Sequence, residues 1–133
     1  MTETNKGAHT PGPWSAGPQC EISGWVDISI GGYPRNPVAS ATPAGPGGAE
    51  ERRDSETVAN ARLIAAAPEL LEACQTFGEW LRREEGGFPA ETRFNTPEGE
   101  TKWREWFDEN LRICALAQEQ ARAAIAKATG APA

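Results

Sequence analysis

The sequence predicts an α+β fold: a small N-terminal antiparallel sheet followed by two long amphipathic helices, the first kinked at Pro68. Three observations carry that prediction. Between Cys20 and Ile30 the chain alternates with period two, Ile22, Gly24, Val26, Ile28 and Ile30 on one side and Ser23, Trp25, Asp27 and Ser29 on the other. From Asn60 to Cys74 the residues are dense helix formers, and Leu63, Ala66, Ala67, Leu70, Cys74, Phe77 and Leu81 recur at steps of three and four, widened by Ile64 and Leu71. A second helical run opens at Thr96-Pro97 and closes at Gly130.

In chain order, the 133 residues suit one domain with a modest core. Residues 1–8 are polar, and a flexible N-terminus is expected there. Residues 9–41 form the small sheet. It begins with His9-Thr10-Pro11-Gly12-Pro13-Trp14, whose prolines hold the backbone extended and present Trp14 either to the core or to a partner. Gly31-Gly32 makes a turn, and Tyr33–Ala41 reads as a second strand that Pro34 and Pro37 confine to an edge. Residues 42–54 are a Pro/Gly loop with too little apolar surface to pack.

Helix one spans 55–85, with Asp54 or Ser55 as its cap. Pro68 either kinks it or opens a second helix. Residues 86–96 connect to helix two at 97–130, whose predicted buried stripe is Trp103, Trp106, Phe107, Leu111, Cys114, Ala117, Ala121, Ala124 and Ile125. The alanine-rich far half of that stripe suits close approach to helix one or to the same helix of another subunit.

Catalytic chemistry is hard to find. His9 is the lone histidine and sits in a Pro-Gly segment without a third group to orient it. Cys20, Cys74 and Cys114 are isolated, so neither a disulfide framework nor a metal site is expected. The Gly-rich loop lacks the Gly-Lys-Ser/Thr end of a phosphate loop. We therefore expect no enzyme and no cofactor. The net charge of -6 argues against general nucleic-acid binding and against a membrane surface. With no signal peptide and no long apolar run, a cytoplasmic protein is expected.

The residues that suggest binding are Arg62, Arg93, Phe94, Asn95, Trp103 and Arg104. Arginine beside an aromatic ring can hold a nucleotide by phosphate pairing and base stacking, and Asn95 can read a base edge. The competing reading makes the arginines solvated helix charges and the rings core.

The segment His9-Thr10-Pro11-Gly12-Pro13-Trp14, together with Ala59-Asn60-Ala61-Arg62-Leu63-Ile64-Ala65-Ala66-Ala67-Pro68-Glu69-Leu70-Leu71-Glu72-Ala73, resembles a widespread family of small bacteriophage and prophage accessory proteins. The closing Ala121-Arg122-Ala123-Ala124-Ile125-Ala126-Lys127-Ala128 is similar to that family's usual end. This chain departs from the pattern in its loop at 42–50 and its connection at 86–97.

The resemblance implies a phage protein working inside a bacterial host. By analogy with the anti-Thoeris and anti-CBASS sponges, it implies a non-enzymatic counter-defence role in which a homo-oligomer sequesters a cyclic nucleotide signal between subunits. The alternative is an acidic protein-protein inhibitor, anti-CRISPR-like, covering a basic surface of a host defence protein.

Overall fold

The computed structural model describes residues 10–21, 25–30, 37–41, 50–88 and 95–132, with only the backbone of 50–55. The fold is α+β. Strands β1 (Trp14–Gln19), β2 (Val26–Ile30) and β3 (Pro37–Ala41) precede helices α1 (Glu50–Ala65), α2 (Ala67–Gly86) and α3 (Pro97–Thr129). They make up two compact units, one of residues up to Glu69 with Ala123–Ala133, the other Leu70–Arg122.

In the first unit the sheet is antiparallel in the order β1-β2-β3, and α1 packs on it. The central strand is the alternating segment. Val26 and Ile28 are fully buried and join Ala41, Ala61 and Ala65, with Trp14, Val38, Val58 and Ile64 packed around them. Strand β3 lies at an edge, as Pro37 requires, since a proline has no N–H for a ladder. Strand β1 goes beyond the sequence expectation, because only Trp14 was read as extended there. It pairs Trp14 with Ile30 and Ala16 with Ile28. Trp14 is thus a partly buried core residue, and its indole N–H donates to the Pro11 carbonyl at 3.2 Å.

The first expected helix is divided. Helix α1 starts at Glu50, earlier than the Asp54 or Ser55 cap, because Glu51-Arg52-Arg53 is itself a run of good helix formers. It ends at Ala65, and α2 opens at Ala67 after a one-residue turn at Ala66. Pro68 lies in the first turn of α2, where its missing N–H removes no intrahelical bond. Gly12 lies against Pro68: a Cβ on Gly12 would fall 2.6 Å from the proline Cβ. Two separate sequence motifs therefore meet here, and glycine is required by close approach. Lys127 and Glu69 add an ion pair at 2.6 Å in the same unit.

The second unit is an antiparallel hairpin of the later part of α2 and the earlier part of α3. Gln120 donates to Glu72 at 3.2 Å, Arg83 to Asn110 at 2.5 Å, and the Phe88 and Trp106 rings meet edge to face at 5.8 Å. Thr96 caps α3 by accepting from the Gly99 N–H at 3.1 Å. Gly87, at φ 64, follows the end of α2 and carries two backbone hydrogen bonds back to Arg83 and Glu84.

Here the predicted burial needs correction. The stripe expected to be core on helix one is largely exposed: Leu63, Cys74, Phe77 and Leu81 all face solvent. On helix two, Trp103, Phe107, Leu111 and Ile125 are exposed as well. The residues buried in the hairpin are Ala73, Asn110, Ile113 and Ala117. Ala66, Ala117 and Ala124 of the predicted stripes are buried and Trp106 is half-buried, while the large residues Leu63, Phe77, Leu81, Trp103, Phe107, Leu111 and Ile125 turn outward.

Candidate functional site

The hairpin interior mixes small, aromatic and polar side chains around the buried Ile113 and Asn110. Its inward positions follow the three-four spacing of a two-helix seam: 73, 76, 80 and 83 on α2, and 106, 110, 113, 117 and 120 on α3. Small or polar residues occupy many of them, and Asn110 is the centre. Its amide oxygen accepts from Arg83, whose guanidinium also donates to the Trp106 carbonyl at 3.3 Å, and its amide nitrogen donates to Glu84 at 2.8 Å. At 3% exposure, Asn110 is a buried polar group with donor and acceptor both used. Such a group fixes the register of two helices, since any slip leaves it unpaired. The sequence reading missed this trio by following apolar residues alone. The spacing 106-110-113-117-120 was the available signal.

One residue beyond the inward positions the side chains are mostly apolar: Cys74, Phe77 and Leu81 on α2 and Phe107 and Leu111 on α3 are exposed, Cys114 and Ala121 are half-buried, and Glu84 and Gln118 are the polar members, with half-buried Leu70 continuing the stripe on α2. A single residue is about 100° of helix rotation. Because the helices run antiparallel, that rotation turns both sets to the same side of the hairpin. Leu111 is 56% exposed, Phe77 49% and Phe107 41%.

The opposite side carries Glu72, Gln75, Glu79 and Arg82 on α2, and Glu105, Glu109, Arg112, Leu116 and Glu119 on α3. Ion pairs within each helix hold it: Arg82 with Glu79 at 2.7 Å and Arg112 with Glu109 at 2.6 Å. The hydrogen bond from Arg82 holds the Glu79 carboxyl below its ordinary range, and that from Arg112 does the same for Glu109. Both arginines are raised in turn by those bonds.

Of the residues expected to bind a ligand, Trp103 and Arg104 lie on α3 near its N-terminus and Asn95 in the turn before it. Trp103 stacks on Phe107, with centroids 5.1 Å apart and rings 11° from parallel, and both rings are part exposed. Arg104 is exposed and paired with Glu100 at 2.8 Å, which closes the apolar face at its tip end. Asn95 is exposed. Arg93, Phe94 and His9 lie outside the described residues.

Arg62 belongs to the other unit and has a different setting. Its guanidinium lies against Gly130, with 2.8 Å between its carbon and a Cβ built on that glycine. Gly130, at φ 70, follows the last turn of α3, where a cation complements the negative end of the helix dipole.

Among the described residues, no cluster of three or more His, Cys, Asp or Glu side chains is placed to hold a metal ion. No helix among them is long and apolar enough to cross a membrane. A family model described as Salmonella phage P22 protein Y8K6 matches residues 1–132. No curated protein and no solved structure matches the chain.

Proposed function

The chain belongs to the Salmonella phage P22 protein Y8K6 family, and from that premise we propose that it is a non-enzymatic phage counter-defence protein. It acts by binding in the host cytoplasm, sequestering a cyclic nucleotide immune signal between subunits of an oligomer. The observation that carries this reading is the Trp103–Phe107 stack, part exposed at the start of α3. Flat rings open to water offer a base a stacking surface. Arg104, one residue on, supplies a cation for phosphate after exchanging its Glu100 partner, and Asn95 supplies an amide.

The test is native mass spectrometry and calorimetric titration with cyclic dinucleotides, cyclic trinucleotides and cyclic ADP-ribose isomers. Wild-type protein is expected to take up one of these classes. Trp103→Ala should weaken uptake by ~10- to 100-fold, the loss of one stacking partner, with little change in thermal unfolding. A wild type that takes up none of them sinks the nucleotide reading.

A second reading has its own observation. The charged side of the hairpin carries five glutamates, Glu72, Glu79, Glu105, Glu109 and Glu119, against Arg82 and Arg112. That surface suits an acidic inhibitor of a basic host defence protein, and steep salt dependence of capture would mark it.

A further inference from the structure

We infer that the more apolar side of the hairpin is a self-association face, on which a second copy of this chain docks to complete a four-helix bundle through Phe77, Leu81, Phe107 and Leu111. The inference specifies the oligomer of the functional reading and rests on it for the subunit contact alone. It does not need the nucleotide.

The first argument is the mismatch between pattern and burial. Each helix carries two stripes at three-four spacing, which is the pattern of a helix that meets neighbours on two sides. The less hydrophobic stripe is satisfied within the hairpin by the Arg83–Asn110–Glu84 bonds. The more hydrophobic stripe leaves Phe77 and Leu111 about half exposed, and its rings stack on neighbours of the same helix, Phe77 on Trp80 at 5.6 Å and Phe107 on Trp103 at 5.1 Å. A monomer has no reason to place its best apolar residues outside and a buried asparagine inside.

Charge selects the occupant. An isologous contact sets one patch against its own copy, so any net charge on the patch repels itself. The chain carries -6, and the Glu-rich side of the hairpin could not meet its own copy without such repulsion. Cys74, Phe77, Leu81, Phe107, Leu111, Cys114 and Ala121 carry no charge, and the one carboxylate on this side, Glu84, is tied inward by the hydrogen bond from Asn110. The charges nearest the tip end of this face have both signs, Glu85 on α2 and the Glu100–Arg104 pair on α3. A basic partner would be drawn to the other side of the hairpin. The more apolar side is where two acidic copies can meet.

Area is sufficient. At about 1.5 Å per residue, the stripe from Phe107 to Ala121 runs ~20 Å, and two helices about 10 Å across make the face ~20 Å wide. Once side-chain relief is counted, that is roughly 600 Å² per chain, or ~1,200 Å² in all, the lower end of stable specific interfaces. Helices crossing at about 20° would interdigitate these side chains as in other four-helix bundles.

Light scattering coupled to size exclusion tests this on the full chain. Wild type at tens of micromolar should run at twice the 14.3 kDa chain mass. Leu111→Glu combined with Phe77→Glu should weaken the dimer by at least ~100-fold, because each charge would be buried unpaired, while far-UV circular dichroism keeps its helical signal. Leu116→Glu, on the charged side, should leave the dimer intact. A monomeric wild type overturns the inference whatever the variants do. So does a dimer that survives the double substitution with its helicity intact. Adding the cyclic nucleotide panel to the same samples separates the two proposals: a dimer that takes up nothing keeps this face and removes the nucleotide reading, and a monomer that binds removes this face and the between-subunit site while keeping nucleotide binding.

Discussion

The two units of the molecule solve burial in opposite ways. In the first, β2 sends Val26 and Ile28 into a core closed by the small side chains of α1, Ala61 and Ala65, so the most apolar residues are the most buried. In the second, the interior holds an asparagine bonded to an arginine and a glutamate, while phenylalanines and leucines face out. The first unit has the economy of a self-sufficient fold. The second has the organisation of half a structure, with register fixed by polar groups inside and hydrophobic area left for a neighbour.

Truncation should sharpen the contrast most. Ile28→Ala removes a side chain with no exposed surface from the centre of the sheet, where the cavity cannot fill with water. It should destabilise the chain by about 2–5 kcal/mol in chemical denaturation. Leu111→Ala, measured well below the concentration at which chains associate, should cost less than ~1 kcal/mol, since over half of that side chain is already in water. A large loss from Leu111→Ala in the monomer would show that this leucine has a partner in its own chain, and the comparison would fail.

That contrast also explains which parts of the fold the sequence disclosed. The central strand was legible at Val26 and Ile28, where one alternating segment meets one helix, but Ser29, read as facing away, is buried and Ile30 is only half-buried. The edge position of β3 followed from Pro37, and the opening of α2 from Pro68. Strand β1 was hidden because Gly17 and Pro18 mask its alternation and its pairing depends on β2. The hairpin misled for a different reason. Reading the most apolar stripe as the inward one assumes that each helix has a single buried side, and α2 and α3 have two stripes. Asn110 and Arg83 were passed over because polarity counted against burial, although their partner groups lie within the hairpin. Among the proposed binding residues, local chemistry found the Trp103 ring but not its Phe107 partner, four residues along α3. For Arg62, sequence showed a cation on a small apolar surface and could not show the helix end at Gly130 that it meets.

The polar seam offers the next largest effect. Asn110→Ala removes the acceptor for Arg83 and the donor for Glu84 together. It should cost about 1–3 kcal/mol, the penalty for leaving such groups unpaired in a partly buried site. The sharper readout is register: hydrogen exchange at the amides of α2 and α3 should rise in the variant across the hairpin, while the amides of β2 keep their protection. Equal loss in both units would make Asn110 a general stability residue and remove its role as the register pin.

The smallest effect concerns acid, and it separates the two sides of the hairpin. Glu79 and Glu109 are held below the ordinary glutamate range by hydrogen bonds from Arg82 and Arg112. A carboxyl depressed in the folded state contributes stability that is present above its unfolded pKa, near 4.3, and is lost as pH falls through the lower folded value. Both carboxyls remain partly exposed, so solvent screens the contribution and it should be small. Thermal unfolding followed by circular dichroism should therefore show a modest gap between wild type and the double variant Glu79→Gln, Glu109→Gln at pH 6 to 7, closing towards pH 3. Self-association should not share that dependence, because Phe77, Leu81, Phe107 and Leu111 carry no charge; any loss of dimer on acidification should track unfolding. A dimer that dissociates between pH 5 and 3 with its helices intact would place the charged side in the subunit contact and reverse the assignment of the two faces.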